Sequence, residues 1–126
     1  MKQLVLVALG GALGAIARYK LSGLVLHHST DWRFPLPTFL VNVLGCLVAG
    51  ALAGAIERHG VFTLDTRLFL FTGLLGGFTT FSAFGVETTG LLRRGQYSVA
   101  FSYATLSVLC GVGALWLAMV LAHRYR

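Results

Sequence analysis

The sequence predicts an all-α integral membrane protein of four spanning helices, the third broken mid-span, and three observations carry that prediction. Four apolar stretches of bilayer-crossing length take up nearly all of the 126 residues. The chain is 56% hydrophobic and only 11% charged, well below the charge content of an average soluble domain. Within the third stretch, TGLLGGFTTFSAFGVE (72–87) breaks its own helical character: it holds Gly76-Gly77, the β-branched pair Thr79-Thr80, and Phe78, Phe81 and Phe84 at intervals of three. A hydrocarbon core of about 30 Å takes roughly 20 helical residues. Spans at about 3–26, 38–56, 68–92 and 97–122 therefore leave nothing over for a soluble domain, and residues 1–126 read as one transmembrane unit.

Taken in order, the first span follows Met1-Lys2 in a pattern resembling a secretory signal peptide. Three further spans follow it, so a retained helix is expected. Gly10 and Gly14 form a GxxxG pair that lets this helix approach another closely. Arg18 and Lys20 interrupt its far end; both can snorkel to the headgroups, and an arginine at partial depth requires a partner or water. His27 to Pro37 is a polar, aromatic connection, with Trp32 and Phe34 suited to the interface and Pro35 and Pro37 just ahead of the next helix.

In the second span Thr38, Asn42 and Gly45 share one helical face. Asn42 has two readings, an interhelical hydrogen-bonding residue or a donor on a pathway. Gly50 and Gly54 repeat the small-residue pattern. Glu57 to Arg67 reads as a short polar loop. The third span ends at the turn Arg93-Arg94-Gly95. The fourth carries Tyr103 and Ser107 on one face, with Ser102 and Thr105 as further hydroxyls; single Ser and Thr residues in such helices usually bond back to their own backbone. Cys46 and Cys110 fall in mid-span and read as small packing residues.

Charge excludes some classes and leaves orientation open. The net charge of +6 is scattered over span ends, not gathered into the basic stripe of a nucleic-acid binder. The side of the termini holds Lys2, Arg58, Arg67, Arg124 and Arg126; the other side holds Arg18, Lys20, Arg33, Arg93 and Arg94. Cytoplasmic flanks normally carry the excess, so this balance suits a chain that inserts both ways round and pairs as an antiparallel, dual-topology homodimer; the alternative is that Arg18 and Lys20 lie too deep to count, which would leave the side of the termini in excess. No Ser/His/Asp, Cys/His or metal-ligand pattern points to an enzyme, and His27, His28, His59 and His123 all lie at expected membrane edges.

A helix broken in the membrane exposes backbone groups that protein, ions or water must satisfy. Around the break stand neutral donors, Asn42, Thr79, Thr80, Ser82, Tyr103 and Ser107, with Phe78, Phe81 and Phe84. Hydroxyls and amides replace part of an anion's hydration shell, and phenyl edges carry the positive end of the ring quadrupole. Free carbonyls at the break would suit a cation. None of the four acidic residues is expected mid-span: Asp31 and Asp65 lie in loops, Glu57 ends the second span and Glu87 lies toward the end of the third. That absence counts against a proton-coupled small-molecule exporter, which generally needs an intramembrane carboxylate.

Three segments, GGALGAIARY (10–19), TFLVNVLG (38–45) and GLLGGFTTFSAFGVE (73–87), resemble the CrcB/Fluc family of fluoride channels, and the resemblance extends over essentially the whole chain. It implies a passive channel in the bacterial inner membrane, an antiparallel homodimer with two fluoride pores, each lined by both subunits. It also implies a structural, non-transported Na⁺ held by the backbone carbonyls of Gly76 and Thr79. Phe81 and Phe84 would line the pores, and Asn42 would be a pore-side hydrogen bonder. Thr80, Ser82, Tyr103 and Ser107 would complete the anion pathway. Arg18 and Glu87 would stand at the pore mouth, Glu87 having a second reading as a solvated helix-end charge. The role implied is fluoride resistance, by letting cytoplasmic fluoride leave down its gradient. Two positions depart from relatives: Gly85 and Gly111 stand where a serine can occur.

The exporter of similar architecture is the alternative, separable by its need for a proton gradient. A membrane subunit without transport of its own is a third reading.

Overall fold

The computed structural model describes residues 1–125; Arg126, counted among the charges above, lies outside them. Four helices are long and apolar enough to cross a membrane, with mean hydropathy from 1.5 to 2.2. Helix α1 (Lys2–His28) and helix α2 (Leu36–His59) are continuous. The third span is divided. Its first part, α3 (residues 64–78), opens as an α-helical turn (Leu64–Arg67), widens into π-helix (Leu68–Leu75) and closes with Gly76–Phe78. Thr79 and Thr80 are extended, and α4 (Phe81–Arg93) then resumes the span. Helix α5 (Tyr97–Arg124) completes the chain.

Local chemistry accounts for these limits. Pro35 precedes α2 and Pro37 lies in its first turn, where a missing N–H costs nothing. Gly60 ends α2 with a left-handed φ of 60°, the backbone state that glycine adopts without penalty. Thr63 and Thr80 cap the helices they precede, accepting from Thr66 N–H and Ala83 N–H. The polar connection expected from Glu57 to Arg67 is shorter than the sequence suggested. Glu57 to His59 finish α2 and Leu64 already begins α3, because the glycine stop and threonine start bracket only residues 60–63.

Packing pairs α1 with α3 and α2 with α5, and glycine makes both approaches possible. A Cβ on Gly10 would lie 2.6 Å from Phe69 O and 2.9 Å from Gly73 Cα. One on Gly14 would meet Leu74 O and come within 2.8 Å of Phe78 N. On the other pair, Gly50 and Gly54 lie against the backbone of Leu115 and Met119. Backbone therefore touches backbone at both contacts, the close approach that small-residue spacing gives in membranes. Few large side chains are fully buried within one chain: Tyr103, Leu91 and Val41. Residues such as Leu9, Leu13, Val108, Val112 and Trp116 face outward, as lipid-facing positions do.

Candidate functional site

The break in the third span is held from two sides by side chains of other helices. Thr80 is extended, with φ −151° and ψ 115°, so its N–H and C=O project to the same side, as in a strand. Asn42 on α2 meets both: Oδ1 accepts from Thr80 N–H at 2.8 Å, and Nδ2 donates to Thr80 O at 3.1 Å. The amide thus replaces the helical partners that Thr80 has lost. From the opposite helix pair, Arg18 Nε on α1 donates to Gly77 O at 3.1 Å. Thr79 turns inward on its own helix, Oγ1 donating to Leu75 O at 2.9 Å.

Three carbonyls are left over, those of Gly76, Phe78 and Thr79, since no donor among the described residues reaches Phe78 O either. In an unbroken helix Thr80 N–H would serve Gly76 O and Ala83 N–H would serve Thr79 O. Here those donors go instead to Asn42 Oδ1 and Thr80 Oγ1. Gly76 is exposed on the surface of the single chain. Buried backbone carbonyls rarely go without partners, and inside a membrane a bare one is costly. The donor set at this point is neutral oxygen, the set that suits a hard cation. Among the described residues no cluster of three or more His, Cys, Asp or Glu side chains could hold a metal.

Beside the break lies an open groove of about 280 Å³, lined by Asn42, Cys46, Thr79, Thr80, Phe81, Phe84, Ser107 and Val108. Among the described residues no charged side chain lines it. Phe81 and Phe84 stand 5.5 Å apart between ring centroids, tilted by 33°. Ser107 Oγ is buried and has no hydrogen-bond partner among the described residues. Asn42 spends one of its two amide N–H groups on Thr80, which leaves the other. The groove therefore presents unspent neutral donors beside aromatic rings.

The structure gathers Asn42, Thr80, Phe81, Phe84 and Ser107 at this groove but separates other residues expected with them. Tyr103 is not a groove residue: it is fully buried, its ring packs 5.1 Å from Phe84 and 5.3 Å from Phe34, and its hydroxyl donates to Glu87 Oε2 at 2.7 Å. A shared helical face with Ser107 did not bring both hydroxyls to one cavity, because the carboxylate claimed one of them. Ser82 is exposed and lies outside the groove lining, its hydroxyl 3.4 Å from Thr80 Oγ1.

Glu87 is not a solvated helix-end charge. It sits well inside α4 and is half-buried, accepting also from Thr38 Oγ1 at 2.6 Å. Glu87 lies past the break and toward the end of the third span, as expected, but it is engaged by two hydroxyls and not solvated. Arg18 binds the break itself, not a site at the groove. Sequence reasoning missed Cys46 and Val108 as lining residues; Cys46 lies one turn after Asn42, a spacing that marks the shared face. It also missed Thr38 as the partner of Glu87.

Fold and site together define a small multi-pass membrane protein whose uncharged, largely apolar groove adjoins a broken helix. The family model described as "CrcB-like protein, Camphor Resistance (CrcB)" matches residues 5–119, and the chain belongs to that family. A relative from Methylobacillus flagellatus, the "Fluoride-specific ion channel FluC", is 58% identical over 117 residues, 93% of this chain and 91% of the relative. Proteins of the same description from Flavobacterium psychrophilum and Hyphomonas neptunium are 42% and 46% identical. The first alignment covers 97% of this chain and 98% of the relative; the second covers 98% of each. The chain is a multi-pass protein of the bacterial inner membrane and, as a member of this family, is not an enzyme.

Proposed function

We propose that this chain is a passive fluoride channel that lets cytoplasmic fluoride leave the cell and so confers fluoride resistance. The observation that carries the reading is the groove of neutral donors and phenyl rings beside the break, free of charged lining, in a chain whose relatives are described as fluoride-specific channels. A small, strongly hydrated anion gives up water only where donors replace it. Ser107 Oγ and the second Asn42 N–H are such donors, and the rims of Phe81 and Phe84 add the positive edge of their quadrupoles. Fluoride enters cells as its uncharged weak acid, dissociates in the less acidic cytoplasm and is trapped until a pathway exists.

The functional unit is an antiparallel homodimer, with two pores shared between the subunits. Phe81 is 83% exposed in the single chain, and Ser82 and Gly76 are also on its surface. Polar backbone and hydroxyl groups facing hydrocarbon are unfavourable by several kcal/mol on the order of each group, so a second copy covers them. With Arg18 drawn in to the break, the remaining Lys and Arg divide five to four between the two sides, a bias small enough to allow two-way insertion. A Na⁺ at the break would be held by the Gly76 and Thr79 carbonyls, whose helical donors are engaged elsewhere. It would supply positive charge to those carbonyls and would be structural, not transported.

The exporter reading would have to use Glu87, a half-buried acid toward the end of the third span. Its two oxygens accept from Thr38 and Tyr103, however, and it lies outside the groove lining. Flux from liposomes with and without an imposed proton gradient tests the choice. Fluoride flux that follows its own gradient supports the channel, and flux that needs the proton gradient overturns it.

A further inference from the structure

Arg18 is the one cationic side chain that the structure ties to the break. It is half-buried on α1, one helical turn past Gly14 on the face that meets α3. Its Nε donates to Gly77 O, the carbonyl next in the chain to Gly76. Among the described residues the one salt bridge joins Lys2 to Asp65, so no carboxylate neutralises Arg18. A full positive charge within a span normally has a partner or faces water. This one is aimed at a backbone carbonyl beside a set of neutral oxygens.

We propose that Arg18 positions the carbonyls of the break and restricts its cation site to monovalent ions. By engaging Gly77 O, the guanidinium holds the end of α3 and withdraws that carbonyl from the free set, which keeps those of Gly76 and Thr79 among its members. Its charge also repels whatever ion those carbonyls hold, and repulsion grows in proportion to the ion's charge. A divalent ion is therefore penalised twice as heavily as Na⁺, with no carboxylate in the site to offset the difference. The inference rests on the reading of the break as a cation site.

The test is thermal unfolding of the purified full chain in detergent, titrated with NaCl or CaCl₂ at constant ionic strength in a choline background. A ligand that binds the folded state raises Tm with its concentration, which gives an apparent affinity for each ion. Arg18→Gln keeps a donor and removes the charge; Arg18→Lys keeps the charge. Arg18→Gln is expected to raise the Ca²⁺ to Na⁺ affinity ratio about tenfold or more, because removing a unit charge relieves a divalent ion of twice the repulsion it relieves for Na⁺. Arg18→Lys is expected to hold the ratio within about threefold of the parent, the charge being unchanged.

An unchanged ratio in Arg18→Gln overturns the proposal, even where fluoride flux falls, and returns Arg18 to a role at the anion entrance. If Arg18→Gln does not fold, the parent and Arg18→Lys decide: equal stabilisation by Na⁺ and Ca²⁺ in the parent, or a shifted ratio in Arg18→Lys, overturns it. A parent that responds to neither ion removes the cation site itself, and that outcome is distinct from a parent that binds Na⁺ while Arg18 has no influence.

Discussion

Replacing Asn42 with alanine tests how the break is held. The substitution deletes both hydrogen bonds to Thr80, at 2.8 and 3.1 Å, and leaves an N–H and a C=O unpaired in mid-span. Each such group costs roughly 1–3 kcal/mol once its partner is removed, so the expected loss is roughly 2–6 kcal/mol in all. A helix-forming alternative exists, because Thr80 N–H can return to Gly76 O. That would close the break, turn Phe81 away from its present position and cover a carbonyl proposed for the cation. Asn42→Ala is therefore expected to lower Tm in detergent and to abolish fluoride efflux from liposomes. Asn42→Asp keeps the oxygen that accepts from Thr80 N–H but sets a second carboxylate oxygen against Thr80 O, and its charge lines the groove. It is expected to fold better than the alanine variant and still to conduct poorly. An Asn42→Ala chain with parental Tm and parental efflux would show that the break stands without this clamp.

Three further substitutions separate packing from conduction. Phe81→Ile keeps apolar bulk and removes the ring edge; efflux should fall while size-exclusion profile and Tm hold, and normal efflux would discard the aromatic-edge argument. Ser107→Ala removes a buried hydroxyl that has no partner, so stability should stay level or rise by up to about 1 kcal/mol while efflux slows; a loss of stability would mean the hydroxyl is already satisfied. Gly10→Ala puts a methyl 2.6 Å from Phe69 O, where backbone on both sides prevents easy relief. Overpacking of this kind costs roughly 1–3 kcal/mol, and unchanged thermal unfolding would show that α1 and α3 are free to separate.

Much of this architecture was legible in the sequence because membrane spanning rests on local rules. Length and hydropathy located the four spans, and the stretch 72–87, with its Gly76-Gly77 and Thr79-Thr80 pairs, contains the break at Thr79-Thr80. Gly10, Gly14, Gly50 and Gly54 announced the two close contacts, though not which helix each would meet. Thr38, Asn42 and Gly45 do share a face, and all three turn toward the third span, meeting Glu87, Thr80 and Thr79.

What sequence did not reveal depends on competition between partners in three dimensions. Tyr103 and Ser107 occupy one face of α5, yet Glu87 captures the tyrosine hydroxyl and leaves the serine free. Arg18 looked like a residue for the membrane edge because its carbonyl partner lies 59 positions away. Glu87 looked peripheral by distance from the end of its span, whereas two hydroxyls from α2 and α5 make it an interior acceptor. The π-helical widening of Leu68–Leu75 carries no signal in composition; the backbone contact of Gly10 with Gly73 falls within it.

The most direct test of the central claim is fluoride efflux from liposomes containing the purified chain, with a potassium ionophore balancing charge and chloride measured in parallel. Rapid fluoride efflux with little chloride movement, independent of a proton gradient, is the expected result. A folded protein that passes no fluoride, or that passes chloride equally well, would contradict it.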